Sequence, residues 1–255
     1  MTPWLPFGTG DAAPVRLLCL PHAGAGASAY RTWGQGLPEE IAACPVQLPG
    51  RESRMGETPY DRVEDIADDL AGALFADATG LRTPYALFGH SMGAIVAFAL
   101  AQRLRERGLP EPVHLFVSGR QAPHLRTSLP DLRHLGITEL AAELATLGGT
   151  PRQVLDNPDL LGMIAPLLRA DFAVNETYRH TGEAALDIPV TAFAAAADPR
   201  ASVHQVDGWR EATAGAFHLH RLPGDHFAVL RQAAFVHRTV AAALHPWTAP
   251  VSPRP

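Results

Sequence analysis

Gly89-His90-Ser91-Met92-Gly93 is the feature that most restricts what this chain can fold into, because it sets a serine between two glycines where an apolar run meets a helix-like segment. Upstream, Tyr85-Ala86-Leu87-Phe88 reads as a short buried strand. Downstream, Ala94 to Arg107 carries apolar residues at Ile95, Phe98, Ala99 and Leu104 before Gly108 and Pro110 stop it. A serine on such a strand–turn–helix is held in a strained backbone conformation that only small neighbours permit, with its hydroxyl above the sheet and the next N–H aimed at a developing oxyanion. A chance match to the pattern would lack the flanking strand and helix.

A neutral serine alcohol needs a base to take its proton and an acid to orient that base. Where the serine sits on such a turn, the three follow in the order Ser, Asp, His. Phe217 to Leu222 alternates like a strand, Pro223-Gly224-Asp225-His226-Phe227 follows as a turn, and a helix runs from about Ala228 to Leu244. His226 is therefore the candidate base, whereas His218 and His220 share one face of the strand and read as solvent-facing. Val190 to Ala195 is an earlier strand ending in Ala197-Asp198-Pro199, where proline prevents helical continuation. Asp198 is thus the candidate acid. Asp187 precedes that strand, Asp207 looks like a helix-start residue, and Asp225 adjoins His226 too closely to reach its ring. The strand at His114 to Val117 ends Ser118-Gly119-Arg120, without a carboxylate. The tetrahedral oxyanion needs two preorganised donors. Met92 N–H is one, and Ala23 N–H, in the loop after the first central strand, is the candidate second.

That loop also permits a rival reading. Gly24-Ala25-Gly26-Ala27-Ser28-Ala29 after a strand satisfies a dinucleotide fingerprint, which requires an acidic residue roughly 20 residues on. The region reads Cys44-Pro45-Val46-Gln47-Leu48 and holds no acid.

Composition narrows the chemistry further. All 21 residues counted as Lys+Arg are arginines, which removes Schiff-base lysines, a Walker A lysine and a kinase-type lysine. A net charge of −5 without a basic cluster argues against nucleic acid as a partner. Cys19 and Cys44 form neither a disulfide framework nor a metal spacing, and no metal and no cofactor are expected. With no signal-like N-terminus and no run of about 18 apolar residues, the expectation is a cytoplasmic protein without membrane attachment.

Strands near Val15, Val46, Tyr85, His114, Val190 and Phe217 alternate with helix-like stretches, including Val63 to Phe75. This pattern predicts one α/β domain over residues 1–255, a mainly parallel central sheet flanked by helices. Residues 127–186 separate two core strands and read as helices at Ile137 to Leu147, Asp159 to Leu168 and Arg169 to Tyr178. An insertion at that edge lies over the serine and predicts a helical lid; a fold-stabilising helical pair is the plainer alternative. The Pro-rich ends, Met1 to Pro14 and Thr248 to Pro255, are expected to fray.

Taken together, Leu20-Pro21-His22-Ala23-Gly24, Gln47-Leu48-Pro49-Gly50-Arg51-Glu52, Phe88-Gly89-His90-Ser91-Met92-Gly93-Ala94, Ser118-Gly119-Arg120, Leu147-Gly148-Gly149-Thr150-Pro151, Leu168-Arg169-Ala170-Asp171-Phe172 and Pro223-Gly224-Asp225-His226-Phe227 give a chain that resembles the discrete type II thioesterases of polyketide and nonribosomal peptide biosynthesis. The resemblance spans nearly the whole chain and implies an α/β-hydrolase fold with Ser91, Asp198 and His226 as its triad. It implies hydrolysis of acyl or aminoacyl thioesters from the phosphopantetheine arm of acyl or peptidyl carrier proteins, an editing role in antibiotic-type biosynthesis, with small acyl thioesters as further substrates. The sequence departs from the family in Ala25 and in Ala195-Ala196-Ala197, where glycines are common. Because carrier proteins are usually acidic, Arg120, Arg126 and Arg133 become candidate docking contacts. Ester or acyl-CoA hydrolysis, chain-releasing cyclisation and a silent carrier-binding module are the alternatives; the intact triad disfavours the last.

Overall fold

A computed structural model describes residues 2–75, 83–126 and 131–248. Six strands, β1 (Val15–Leu20), β2 (Ile41–Pro45), β3 (Tyr85–His90), β4 (His114–Ser118), β5 (Val190–Ala195) and β6 (Phe217–Leu222), form one sheet in the order β2-β1-β3-β4-β5-β6. Every pairing is parallel. The central strands read as unbroken apolar runs because both faces are covered. One face, with Leu18, Leu87, Val117 and Ala192, packs under α1 (Val63–Leu74) and α2 (Met92–Glu106). The other, with Leu17, Phe88, Phe116 and Phe193, packs against Tyr30, Trp33 and the C-terminal helices.

Strand order reverses between β1, which is followed outward by β2, and β3, which lies on its other side. In open α/β sheets, ligands bind beyond the carboxyl ends of the strands at such a switch point. The serine turn follows β3 and the glycine loop follows β1, so both candidate elements meet there.

Between β4 and β5 lie α3 (Ile137–Leu147), α4 (Arg152–Leu155) and α5 (Pro158–Thr177). They form a small core of their own around Leu140, Leu144, Leu161, Leu168 and Phe172, against which Ala23 packs. Where the sequence suggests two helices divided at Leu168, α5 is continuous and even carries Pro166 in its interior. Pro166 has no N–H to give the carbonyl of Gly162, four residues before it, so that carbonyl goes without its helical partner. Residues 127–130 of the insertion fall outside the described residues.

After β5 come α6 (Val203–Asp207), β6 and two C-terminal helices, α7 (Ala228–Arg231) and α8 (Ala233–Thr248), where one had been expected. The break is at Gln232, whose side chain donates to Pro223 O at 2.6 Å. Two further expectations are corrected. The N-terminal segment is docked, with Leu5 buried, Gln47 N–H donating to Trp4 O at 2.9 Å and Arg54 over the Trp4 ring. His220 is half-covered, sandwiched between Phe193 and Phe235, while His218 is exposed. Among the described residues, no helix is long and apolar enough to cross a membrane.

Candidate active site

Ser91 sits between β3 and α2 with φ 54 and ψ −116, one of two non-glycine residues with positive φ among those described. Such a conformation costs about 1–3 kcal/mol and persists only where the surroundings over-determine it. Here Ser91 N–H donates to Ser118 O at 2.8 Å. The flanking glycines are steric requirements: a Cβ on Gly89 would lie 2.1 Å from Gly93 O, and one on Gly93 would lie 2.1 Å from Leu20 O. Met92 opens α2, so its N–H has no preceding turn to bond.

Asp198 and His226 come from the loops after β5 and β6. Those loops are joined by Ala196 N–H to Leu222 O and Ala197 N–H to Gly224 O, both 2.9 Å. The join aims the Asp198 carboxylate at His226, with Nδ1 2.9 and 3.0 Å from its two oxygens; Arg200 N–H donates to Oδ1 at 2.8 Å. The alanines before Asp198 therefore do not misdirect it. The rival carboxylates are elsewhere: Asp187 is exposed, Asp207 pairs with Arg210 at 2.6 Å, and Asp225 caps the turn through Phe227 N–H at 3.0 Å. Ser91 and His226 line the same cavity without a direct hydrogen bond, a common state of catalytic groups before substrate arrives.

Two more imidazoles crowd His226. His90 lies 4.9 Å away between ring centroids and binds Ser118 Oγ through Nδ1 at 2.8 Å; His22 lies 5.5 Å from His90 and 5.0 Å from Phe227. Burial and the proximity of His226 push His22 down to about 4 and His90 well below the usual histidine range, so both are neutral near pH 7. Gly119 makes room: at φ +62, its Cβ would lie 2.6 Å from His90 and 3.1 Å from His226. Ser118-Gly119-Arg120 counts toward the family resemblance, but nothing local in the sequence shows this steric role of Gly119.

The glycine loop is braced from the insertion. The Asp171 carboxylate, on α5, accepts Gly24 N–H at 2.7 Å and a bidentate pair from Arg51 at 2.7 Å each; Arg51 also donates to Ala25 O at 3.2 Å. Ala27 N–H donates to Gln47 at 3.1 Å, and Ser28 N–H to Glu52 at 3.3 Å. Two carboxylates thus occupy the N–H groups that a pyrophosphate would need, which opposes the dinucleotide reading. Ala23 N–H donates to none of the described residues and lies on the cavity wall with Ser91.

Two cavities meet at Ser91. One, of about 310 Å³, is roofed by Leu144, Leu147, Ile164, Leu168 and Phe172. The other, of about 460 Å³, is bounded by Gly119, Asn175, Glu176 and Tyr178, with Arg120, Arg126, Arg179 and Arg200. Of the arginines singled out in the sequence, Arg120 and Arg126 line this second cavity, whereas Arg133 pairs with Asp131 at 2.8 Å. Among the described residues no three His, Cys, Asp or Glu side chains are grouped to hold a metal. Cys19 and Cys44 are free, buried thiols pushed up in pKa, Cys44 to about 12.

A parallel α/β sheet with a strained serine at its switch point and an Asp–His pair beside it defines a serine hydrolase of the α/β-hydrolase fold. The family model for the thioesterase domain matches residues 15–246. The chain is 39% identical over 217 residues to the gramicidin S biosynthesis protein GrsT of Aneurinibacillus migulanus, covering 85% of this chain and 84% of that one. It superposes with a TM-score of 0.85 on RedJ, a thioesterase of the prodiginine pathway in Streptomyces coelicolor, at 42% identity and 92% coverage of both chains. It also matches YbtT, a type II thioesterase of the yersiniabactin pathway, with a TM-score of 0.84, 32% identity and coverage of 94% and 96%. This chain belongs to the thioesterase family and is a serine thioester hydrolase.

Proposed function

We propose that the protein is a discrete type II thioesterase that hydrolyses acyl or aminoacyl groups from the phosphopantetheine arm of acyl or peptidyl carrier proteins, clearing stalled units in polyketide or nonribosomal peptide biosynthesis. The observation that carries the reading is the placement of Ser91, His226 and Asp198 where an apolar cavity under α3–α5 meets a polar one. A thioester needs such a junction, since an acyl tail leaves its carbonyl on one side and a hydrophilic arm on the other.

Neutral His226 takes the Ser91 proton as Oγ bonds to the thioester carbon, while Asp198 fixes the tautomer and stabilises the imidazolium. Met92 and Ala23 N–H groups receive the oxyanion. Collapse breaks the C–S bond, and His226 returns the proton to the leaving thiolate. Water, deprotonated by His226, then attacks the acyl-Ser91 ester, and the released serine takes that proton back. A thiolate leaves more readily than an alkoxide or amine, so this site suffices. The insertion acts as a lid whose apolar underside takes the acyl chain, and an acidic carrier docks at the open end of the polar cavity near Arg126.

The test compares hydrolysis of one acyl group on carrier proteins, on coenzyme A and on a small thiol, with fluorophosphonate labelling of Ser91. A labelled enzyme that prefers oxygen esters or ignores carrier-bound groups would refute the reading. An unlabelled protein that binds carriers would point to the silent module.

A further inference from the structure

Two glycines follow α3, and they are glycine for different reasons. Gly148 takes φ +80 as the left-handed C-cap, and a Cβ there would meet nothing within 4 Å. Gly149 does not have a positive φ, yet a Cβ on it would lie 2.2 Å from Phe227 Cζ and 2.5 and 3.1 Å from the two Cε atoms of that ring. Gly149 is itself exposed, so no core demands its small size. The insertion therefore meets the neighbour of His226 through bare backbone.

The Phe227 ring is enclosed on its other sides. It stands edge-to-face with His22 at 5.0 Å between centroids, with His226 at 5.2 Å and with His90 at 5.5 Å. Its backbone is fixed as well: the N–H donates to Asp225 Oδ1 at 3.0 Å, and the carbonyl accepts Leu230 N–H at 3.1 Å where α7 begins. A ring pressed at Cζ cannot be carried off with its backbone and has to turn toward an imidazole. Among the described residues, the ring nitrogens of His226 bond only Asp198, through Nδ1. That tether holds one edge of the imidazole and leaves its plane free to swing about the contact. The interplanar angle of 89° between Phe227 and His226 shows what limits the swing.

We propose that Phe227 is a positioning residue for His226 and that the backbone of Gly149 seats it, so that the insertion sets the aim of the base as well as covering the acyl chain. The proposal rests on the reading of His226 as the base that serves Ser91. Phe227 and Gly149 also line the apolar cavity, so a plain wall for the acyl chain is the competing role. The two roles differ in what they change. A wall alters KM for long chains, whereas a misaimed base lowers kcat on every acyl group.

The test measures kcat and KM on acetyl and octanoyl thioesters of one small thiol, for the native chain, Gly149→Ala, Phe227→Leu and their combination. We expect each single substitution to lower kcat by about tenfold to a hundredfold on both substrates with KM little changed, the scale of a 1 Å misplacement of a catalytic group. Phe227→Leu vacates the space that the methyl of Gly149→Ala needs, so the combination should lose far less than the product of the two singles. Labelling of Ser91 by a small fluorophosphonate, which needs the base but not the acyl cavity, should slow in step with kcat. Thermal unfolding checks that the variants fold; if Phe227→Leu does not, Phe227→Tyr places an oxygen at Cζ against Gly149 and should mimic Gly149→Ala. A Gly149→Ala enzyme within about twofold of native kcat, a loss confined to KM for octanoyl, or losses that simply multiply in the combination would overturn the positioning role. His226→Ala is the control. Near-native turnover there would remove the base reading and this proposal with it, whereas an inactive His226→Ala beside a fully active Gly149→Ala would remove the positioning role alone.

Discussion

Replacing Asp171 by asparagine should damage stability and turnover together, because one carboxylate serves both. Asp171 and Arg51 side chains are 1% and 4% exposed, and both carboxylate oxygens are engaged at 2.7 Å. Burial raises Asp171 above the ordinary carboxylate pKa even with Arg51 beside it, so the pair sits in a poorly solvated place. Asparagine keeps the shape but removes the charge and turns an NH2 toward a donor. Removing one partner of a buried pair costs about 3–5 kcal/mol. For a chain near 250 residues, where 1 kcal/mol shifts Tm by about 2–4 °C, that is a fall of about 6–20 °C. The same oxygen holds Gly24 N–H, one residue from the candidate oxyanion donor Ala23. Loss of a donor of that kind lowers kcat by about 10²–10³, so kcat on a small acyl thioester, measured well below Tm, should fall toward that limit with KM little changed. Arg51→Lys keeps the charge but loses the bidentate fork and should fall between. If Asp171→Asn keeps its kcat within about twofold at full folding, the carboxylate does not hold the loop for catalysis and the brace is structural only.

Single substitutions Ser91→Ala and His226→Ala should each abolish most turnover and should not add when combined, and Asp198→Asn should cost up to about 10⁴ in kcat, all read by steady-state kinetics; a near-normal Asp198→Asn enzyme would displace that residue from the triad. Gly119→Ala should lose activity and about 1–3 kcal/mol of stability, since its Cβ enters the His90 and His226 rings at φ +62; denaturant titration and kinetics check it. His22 and His114, both lowered to about 4, and His90, which burial also holds well below the usual histidine range, stay neutral when folded, while the unfolded chain protonates them near 6.5. The unfolded state then binds more protons, so stability should drop as pH falls from about 6.5 toward 4, by up to about 1.4 kcal/mol per pH unit for each group. Glu176, raised to about 7, opposes this with one proton between its unfolded value and 7. His114 bonds Thr191 Oγ1 at 2.9 Å inside the sheet; His114→Gln should flatten the Tm-against-pH slope by about one proton, and an unchanged slope would refute the assignment.

The parts of this molecule that the sequence shows plainly are those whose cause is local. Val190 to Ala195 is a strand because all six residues are buried and apolar or small, apart from Thr191, and Pro199 marks where the chain must leave it. The serine turn is legible because Gly89 and Gly93 are there for contacts within a few residues. The brace is not, since Arg51 and Asp171 are 120 residues apart and, although each lies in a motif of the resemblance, nothing local pairs them. The arginine-lined cavity escapes for the same reason: Arg120, Arg179 and Arg200 lie on three separate connections. The continuity of α5 is not legible because no local rule distinguishes a helix that tolerates Pro166 from two that meet near it. The N-terminal segment looked free because Pro-rich composition says nothing of Trp4 stacking on Tyr60.

The clustering of three imidazoles around one task has an electrostatic logic. In the mechanism proposed above His226 becomes a cation during attack, and the His90 ring lies only 4.9 Å from it. Two unit charges at that separation repel by about 3 kcal/mol at an effective dielectric constant of 20. A charged His90 would impose that cost on the imidazolium, erasing a good part of what Asp198 contributes. Full burial keeps His90 neutral, and its Nδ1 contact with Ser118 Oγ fixes the ring beside the backbone that also receives Ser91 N–H. His22 is kept neutral in the same way at the mouth of the glycine loop. The two rings can therefore wall the base closely while only the imidazole facing Asp198 has a carboxylate to balance a proton. Selectivity of protonation here comes from unequal partners rather than from distance.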